Sequence, residues 1–151
     1  MAKRFTDTDK WADPWFHSLD AKMKLAWLFL CDQCDSAGIW KVNFPLLAFH
    51  LDQEVTEDDL SNFFGNKIIW LTDERIWVPG FIKFQYATLS TRSAAHLGII
   101  RRIIAFTANL PLDAPTKLLV DSFRESVDPQ PTLDRPSTEG QQTLQVEVEV
   151  S

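Results

Sequence analysis

Leu19-Asp20-Ala21-Lys22-Met23-Lys24-Leu25-Ala26-Trp27-Leu28-Phe29-Leu30-Cys31-Asp32-Gln33-Cys34-Asp35-Ser36-Ala37-Gly38-Ile39-Trp40 sets the order of the rest of the chain. Leu25 to Cys31 is an unbroken apolar run of helix-forming residues with no Pro or Gly. It is shorter than the ~20 apolar residues that cross a bilayer. It therefore predicts a helix inside a protein, packed by neighbours on every side. Ser18 or Asp20 can accept hydrogen bonds from the first free amides of that helix. Gly38 ends the pattern, and Ile39-Trp40-Lys41-Val42 alternates as a short strand.

Beyond the strand, Asn43 is placed to cap a short helix with Pro45 in its first turn, where a missing N–H does no harm. Phe44, Leu47, Ala48 and Leu51 recur at helical spacing. A break at Asp52-Gln53-Glu54 follows. Thr56 and Asp59 form a capping-box pair, with Asp for the usual Glu or Gln, that opens a helix over Glu57–Phe64, stopped by Gly65. Lys67–Leu71 and Ile76–Phe81 read as two strands around the polar loop Thr72–Arg75, with Pro79 near a strand end as an edge allows. A last helix is expected over Ser93–Phe106 and a short one over Thr116–Val127. From Asp128 the chain turns to Pro, Thr, Gln and acids and reads as a disordered tail. At its tip Val146, Val148 and Val150 alternate with Glu147 and Glu149, as a strand added to a partner would. Before the first helix, Phe5, Trp11 and Pro14-Trp15-Phe16 predict an arm ordered by burial of its aromatics. The order helix, strand, helix, helix, hairpin, helix is that of a winged helix. The expected fold is mainly α with a small antiparallel sheet (α+β): a winged helix-turn-helix over 1–106, a helical extension over 107–127 and a flexible acidic tail over 128–151.

With 151 residues, six Trp and eleven Phe, the chain can build one real core. All six Trp lie between Trp11 and Trp77, which places most of that core in the first two-thirds. The net charge of −6 is uneven: residues 1–110 hold 12 Lys/Arg against 13 Asp/Glu, and residues 111–151 hold 3 against 8. A near-neutral body does not announce nucleic-acid binding through bulk charge, so any such binding must come from local clusters. The opening Met1-Ala2-Lys3-Arg4 lacks the apolar core of a signal peptide. Two Cys without such a signal predict reduced thiols in a cytoplasm, and no stretch is long enough to span a membrane.

Several motifs together carry a family likeness: Phe5-Thr6-Asp7-Thr8-Asp9-Lys10-Trp11, Asp13-Pro14-Trp15-Phe16, Leu28-Phe29-Leu30-Cys31-Asp32, Cys34-Asp35-Ser36-Ala37-Gly38-Ile39-Trp40 and Phe81-Ile82-Lys83-Phe84-Gln85-Tyr86. Over roughly Lys3–Phe106 the chain resembles phage and prophage replication proteins, or replisome organisers, with a DnaD-like N-terminal winged helix. The resemblance implies a DNA-binding winged helix at a replication origin that recruits host replication proteins. Longer relatives carry a further C-terminal domain for DNA or helicase-loading partners, and only the acidic tail stands in its place here.

Residue by residue, the signals divide. The helix-turn-helix pair would place Glu57–Phe64 in the major groove, yet Val42–Asn66 has no Lys or Arg and five acids. The helix fits a structural member or a protein-binding face better than a phosphate contact, with Glu57, Asp58 and Asp59 as the candidates for holding a host replication protein or a second copy. On the last helix, Leu97, Ile99, Ile100, Ile103, Ile104 and Phe106 gather on one half, leaving Ala94, Ala95, Gly98, Arg101 and Arg102 on the other. Arg92, Arg101 and Arg102 are the first candidates for duplex phosphate; a solvated face or a helix-packing contact is the competing reading. Lys3, Arg4 and Lys10 form either a backbone-tracking arm or solvated terminal charge. Arg75 sits at the wing tip beside Asp73 and Glu74. Trp70 and Trp77 serve as sheet packing or as base-stacking platforms. Cys31-Asp32-Gln33-Cys34 lies at a helix C-terminus, where the dipole opposes a thiolate, and no further ligands complete a zinc site. His17, His50 and His96 are scattered, His96 on the apolar half of its helix with one nitrogen satisfied. No phosphate loop, carboxylate pair or nucleophilic triad is present. A non-enzymatic chain without cofactor or metal is expected.

Overall fold

The computed structural model describes residues 1–128, and the Val146–Val150 alternation lies outside the described residues. Among the described residues, seven helices and three strands follow in order: α1 (Pro14–Ser18), α2 (Ala21–Gln33), β1 (Ile39–Lys41), α3 (Phe44–Leu51), α4 (Glu57–Phe64), β2 (Ile69–Thr72), β3 (Arg75–Trp77), α5 (Gly80–Tyr86), α6 (Ala94–Thr107) and α7 (Ala114–Val127). The fold is mainly helical with one small antiparallel sheet of order β1-β3-β2. Helix, strand, helix, helix and a two-strand wing is the winged-helix order.

Local chemistry fixes the starts of α2, α3 and α4. Asp20 accepts from Met23 N at 2.8 Å, and Asn43 from Leu46 N at 3.0 Å. The capping box opening α4 is complete: Asp59 N donates to Thr56 Oγ1 at 3.1 Å and Thr56 N to Asp59 Oδ2 at 3.0 Å. Between α3 and α4 the chain turns at Asp52, whose φ of 53° is left-handed.

In the sheet, Ile39, Trp77 and Ile69 share one cross-strand row, and Trp40, Ile76 and Trp70 the next. The register slips between Trp70 and Thr72, so Leu71 forms a bulge. An aromatic cluster ties α1 to α2 and α4: Trp15 meets Trp27 edge-on at 4.9 Å, and Trp27 meets Phe64 at 5.1 Å. Such edge-to-face pairs add to the burial of large rings.

Three expectations are corrected. The helix of the opening segment is not packed all round: only Met23, Ala26 and Leu30 are buried, and Leu25 is 46% exposed. A run of apolar residues says nothing of which sides receive neighbours; α3 and the aromatic cluster reach only part of α2. Burial of aromatics does not order the arm, since Phe5 and Trp11 are 74% and 59% exposed. Polar contacts do. Gln85 bonds both the N–H and the C=O of Phe5, and Asp7 caps a 3-10 turn over Thr8–Ala12. Finally, the return strand stops at Trp77, and α5 follows where strand was expected through Phe81. Pro79 cannot donate to a ladder, and Phe81 and Ile82 are buried from a helix instead.

By packing, the described chain divides between Tyr86 and Ala87. Ala87 has a left-handed φ of 55°, which terminates α5. The second unit holds α6 and α7, which pack on each other. The helix read from sequence as closing the winged helix therefore belongs with α7.

Candidate functional site

The Cys34–Ile39 loop joins α2 to β1, and each of its carbonyls from residue 34 to 38 is taken by a different donor. Arg4 Nη2 donates to Cys34 O at 2.9 Å, Gly38 N to Asp35 O at 3.0 Å and Tyr86 Oη to Ser36 O at 2.7 Å. Trp77 Nε1 donates to Ala37 O at 3.1 Å and Val78 N to Gly38 O at 2.9 Å. The Asp35 carboxylate accepts from Ala37 N and Ile39 N. Arm, β3 and α5 are all fastened to this loop. Gly38 stands at φ +83°, and a Cβ there would lie 2.9 Å from both Phe81 Cβ and Val78 O. The segment is a structural clasp.

The basic candidates of the first unit are largely occupied. Arg4 is half-buried, with its guanidinium 5.3 Å from the centre of the Phe81 ring besides its bond to Cys34 O. Lys10 donates to Thr6 Oγ1 at 2.6 Å. Lys22 pairs with Asp59 at 3.3 Å, and Lys67 lies over Trp15 at 5.1 Å. Arg75 is half-buried in β3 opposite Lys41 and Thr72. Lys3 is exposed. Trp77 is fully buried, which removes it as a stacking platform; Trp70 is half-buried, its Nε1 shielded and unpartnered among the described residues.

Around α4 the surface is acidic. Glu57 and Asp58 are exposed, while Asp59 is half-buried between Thr56 and Lys22. The Thr56 amide, and after it Lys22, holds the Asp59 carboxyl below its ordinary value. Charge is divided between the two packing units. Residues 1–86 hold nine Lys/Arg against thirteen Asp/Glu, a net −4, whereas residues 87–128 hold five against four, a net +1. A net charge of −4 on the unit that carries the helix-turn-helix works against phosphate contacts there.

On α6 the buried side is Ile99, Ile100, Ile103 and Thr107, and Ala94, Ala95, Gly98, Arg101, Arg102 and Ala105 are exposed. Arg102 lies 5.0 Å from the centre of the Phe106 ring, one turn on. A Cβ on Gly98 would meet nothing within 4 Å. Arg92 is exposed just before the Ser93 cap. The structure thus brings Arg101 and Arg102 onto one open face; the arm and wing candidates Lys3, Arg4, Lys10 and Arg75 lie on the other unit. His96 is structural: its Nδ1 accepts from Ser90 N at 3.1 Å.

Burial, reinforced by Asp32 and opposed by Lys10, pushes the Cys31 thiol up to about 12, and burial likewise raises Cys34 to about 12. Cys34 Sγ donates to Cys31 O at 3.3 Å. Both are protonated at neutral pH and poor nucleophiles or ligands. Among the described residues no group of His, Cys, Asp and Glu is placed to hold a metal ion, and no helix is long and apolar enough to cross a membrane.

Sequence reasoning passed over one surface feature. Leu25, Leu46 and Phe49 are large apolar side chains facing water, Phe49 at 75%. A signal existed: Phe49 stands opposite the Phe44, Leu47, Ala48 and Leu51 face at 100° per residue. Compared with known proteins, the chain matches no family model, no curated protein and no solved structure.

Proposed function

We propose that this chain acts in the initiation of phage DNA replication in the bacterial cytoplasm, with its winged helix turned to recruiting a replication protein rather than to reading DNA. The observation that carries this is the helix-turn-helix surface, which has no Lys or Arg from Val42 to Asn66, exposes Glu57 and Asp58, and belongs to a unit of net charge −4. The family resemblance supplies the replication context, and the clasp at Cys34–Ile39 gives the shared motif a structural reason. Affinity capture from bacterial extract with the full chain tests it, set against Glu57→Lys/Asp58→Lys. Recovery of a host replication protein by the native chain and its loss with the variant supports the role; equal recovery by both removes it.

Direct contact with duplex DNA is the second reading, favoured by the open α6 face on which Arg101 and Arg102 stand beside Gly98. Small residues there let a phosphate backbone approach closely, with Arg92 near the helix N-terminus where free amides also attract phosphate.

A further inference from the structure

α2 and α3 turn apolar side chains outward side by side. On α2, Lys22, Leu25 and Phe29 line one stripe. Contacts fix its two ends: Lys22 Nζ lies 3.3 Å from Asp59 on α4, and the Phe29 ring 5.6 Å from that of His50 on α3. Leu25 stands between them in water. On α3 the Phe49 ring lies 5.2 Å from His50, and Leu46, one turn earlier, is 40% exposed. Ring contacts thus join Phe29, His50 and Phe49 across two packed helices, with exposed Leu25 and Leu46 one turn away on α2 and α3, and together they form a largely apolar ledge. Apolar side chains exposed singly are ordinary; a run of neighbours marks an interaction site.

The surrounding charge selects the occupant. Asp52 and Glu54 follow α3 directly, and Glu57 and Asp58 open α4; all four are exposed, no Lys or Arg occurs from Val42 to Asn66, and Lys22 at the end of the α2 stripe is paired with Asp59. A second copy seated by this ledge would set acid against acid. The chain's own residues 129–151 hold one Arg against four acids and fit no better. A cationic partner is attracted. Two packed helices present ridges and grooves that suit a third helix, whose anchors then fall three and four residues apart.

We infer that the α2–α3 ledge is the docking site for a basic amphipathic helix of a partner protein, its apolar side seated on Leu25 and Phe49 and its Lys/Arg side directed to Asp52, Glu54, Glu57 and Asp58. This rests on the recruiting role proposed above and names the chemistry of the partner.

Three fluorescein-labelled peptides of about 16 residues, long enough to form a helix on a surface, test it by anisotropy with the full chain. One carries Leu at helical spacing on a Lys background, one has those Leu replaced by Ser, and one has Lys replaced by Glu. The Leu/Lys peptide is expected to bind, the other two not. Phe49→Ser and Leu25→Ser, both at exposed positions, should each weaken binding about tenfold or more, as removal of an anchor does. Asp52→Asn/Glu54→Gln should weaken it and flatten its salt dependence. Equal binding of the Leu/Lys and Ser/Lys peptides would reduce the effect to charge and overturn the inference, as would unchanged affinity in Phe49→Ser. The capture experiment separates the two claims. A replication protein captured while the Leu/Lys peptide fails removes the ledge alone; peptide binding without capture removes the replication role and keeps the ledge.

Discussion

Gly38 shows how much one missing methyl group holds in place. Its left-handed φ permits the turn from α2 into β1, and its lack of a side chain lets Phe81 and Val78 close over it. Gly38→Ala should destabilise the protein by about 2–4 kcal/mol, from the left-handed penalty plus overpacking, read as a lower midpoint in urea. Gly98→Ala, on an open helical face, should instead stabilise by about 1 kcal/mol. The two thiols make a prediction of their own. Each is raised from an ordinary 9.0 to about 12, so the folded chain holds protons that the unfolded chain releases first. Their contribution is full below pH 9.0 and is lost as pH rises toward 12. Alkylation by iodoacetamide should accordingly be slow in the native protein at about pH 8 and become fast in urea. Rapid native alkylation would contradict the burial argument.

The helices are specified at their starts. Asp20, Asn43, Thr56, Ser93 and Asp113 each place a side-chain oxygen on an amide of the first turn. Thr56→Ala should cost about 1 kcal/mol, and it frees Asp59 from the arrangement that Lys22 also joins. Asn43, Thr56–Asp59 and Gly65 are legible without a structure because capping is local chemistry, and the bounds Glu57–Phe64 follow from them. α5 is not legible in that way. Ile76-Trp77-Val78 reads as strand, and Phe81 extends the apolar pattern; the burial of Phe81 against Gly38 and of Ile82 beside it, which favours a helix there, depends on residues distant in sequence. The same limit applies to α2 and the arm. Sequence counts apolar residues, but which of Leu25, Phe5 and Trp11 finds a neighbour depends on elements far along the chain. Of the candidate site residues, the exposed half of α6 follows directly from periodicity. The occupied state of Arg4 does not, because its partners Cys34 and Phe81 are distant in sequence.

Across the molecule, charge is divided along the line where packing divides the chain: −4 over residues 1–86 and +1 over residues 87–128. The division separates two kinds of surface, one acidic and partly apolar on the winged helix, the other small and Arg-bearing on α6. If α6 touches duplex DNA, Arg101→Ala/Arg102→Ala should lower the slope of log affinity against log salt by about 1 for each phosphate no longer neutralised. Charge reversal at Glu57 and Asp58 should leave that slope unaltered. The central claim is that the helix-turn-helix of this chain does not enter a groove. Chemical-shift mapping of the 15N-labelled full chain, titrated with duplex DNA at low salt, tests it most directly. The account predicts that amides of Glu57–Phe64 stay in place and that any shifts fall on residues 92–105. Shifts centred on Glu57–Phe64 that grow with added duplex and vanish with salt would contradict it.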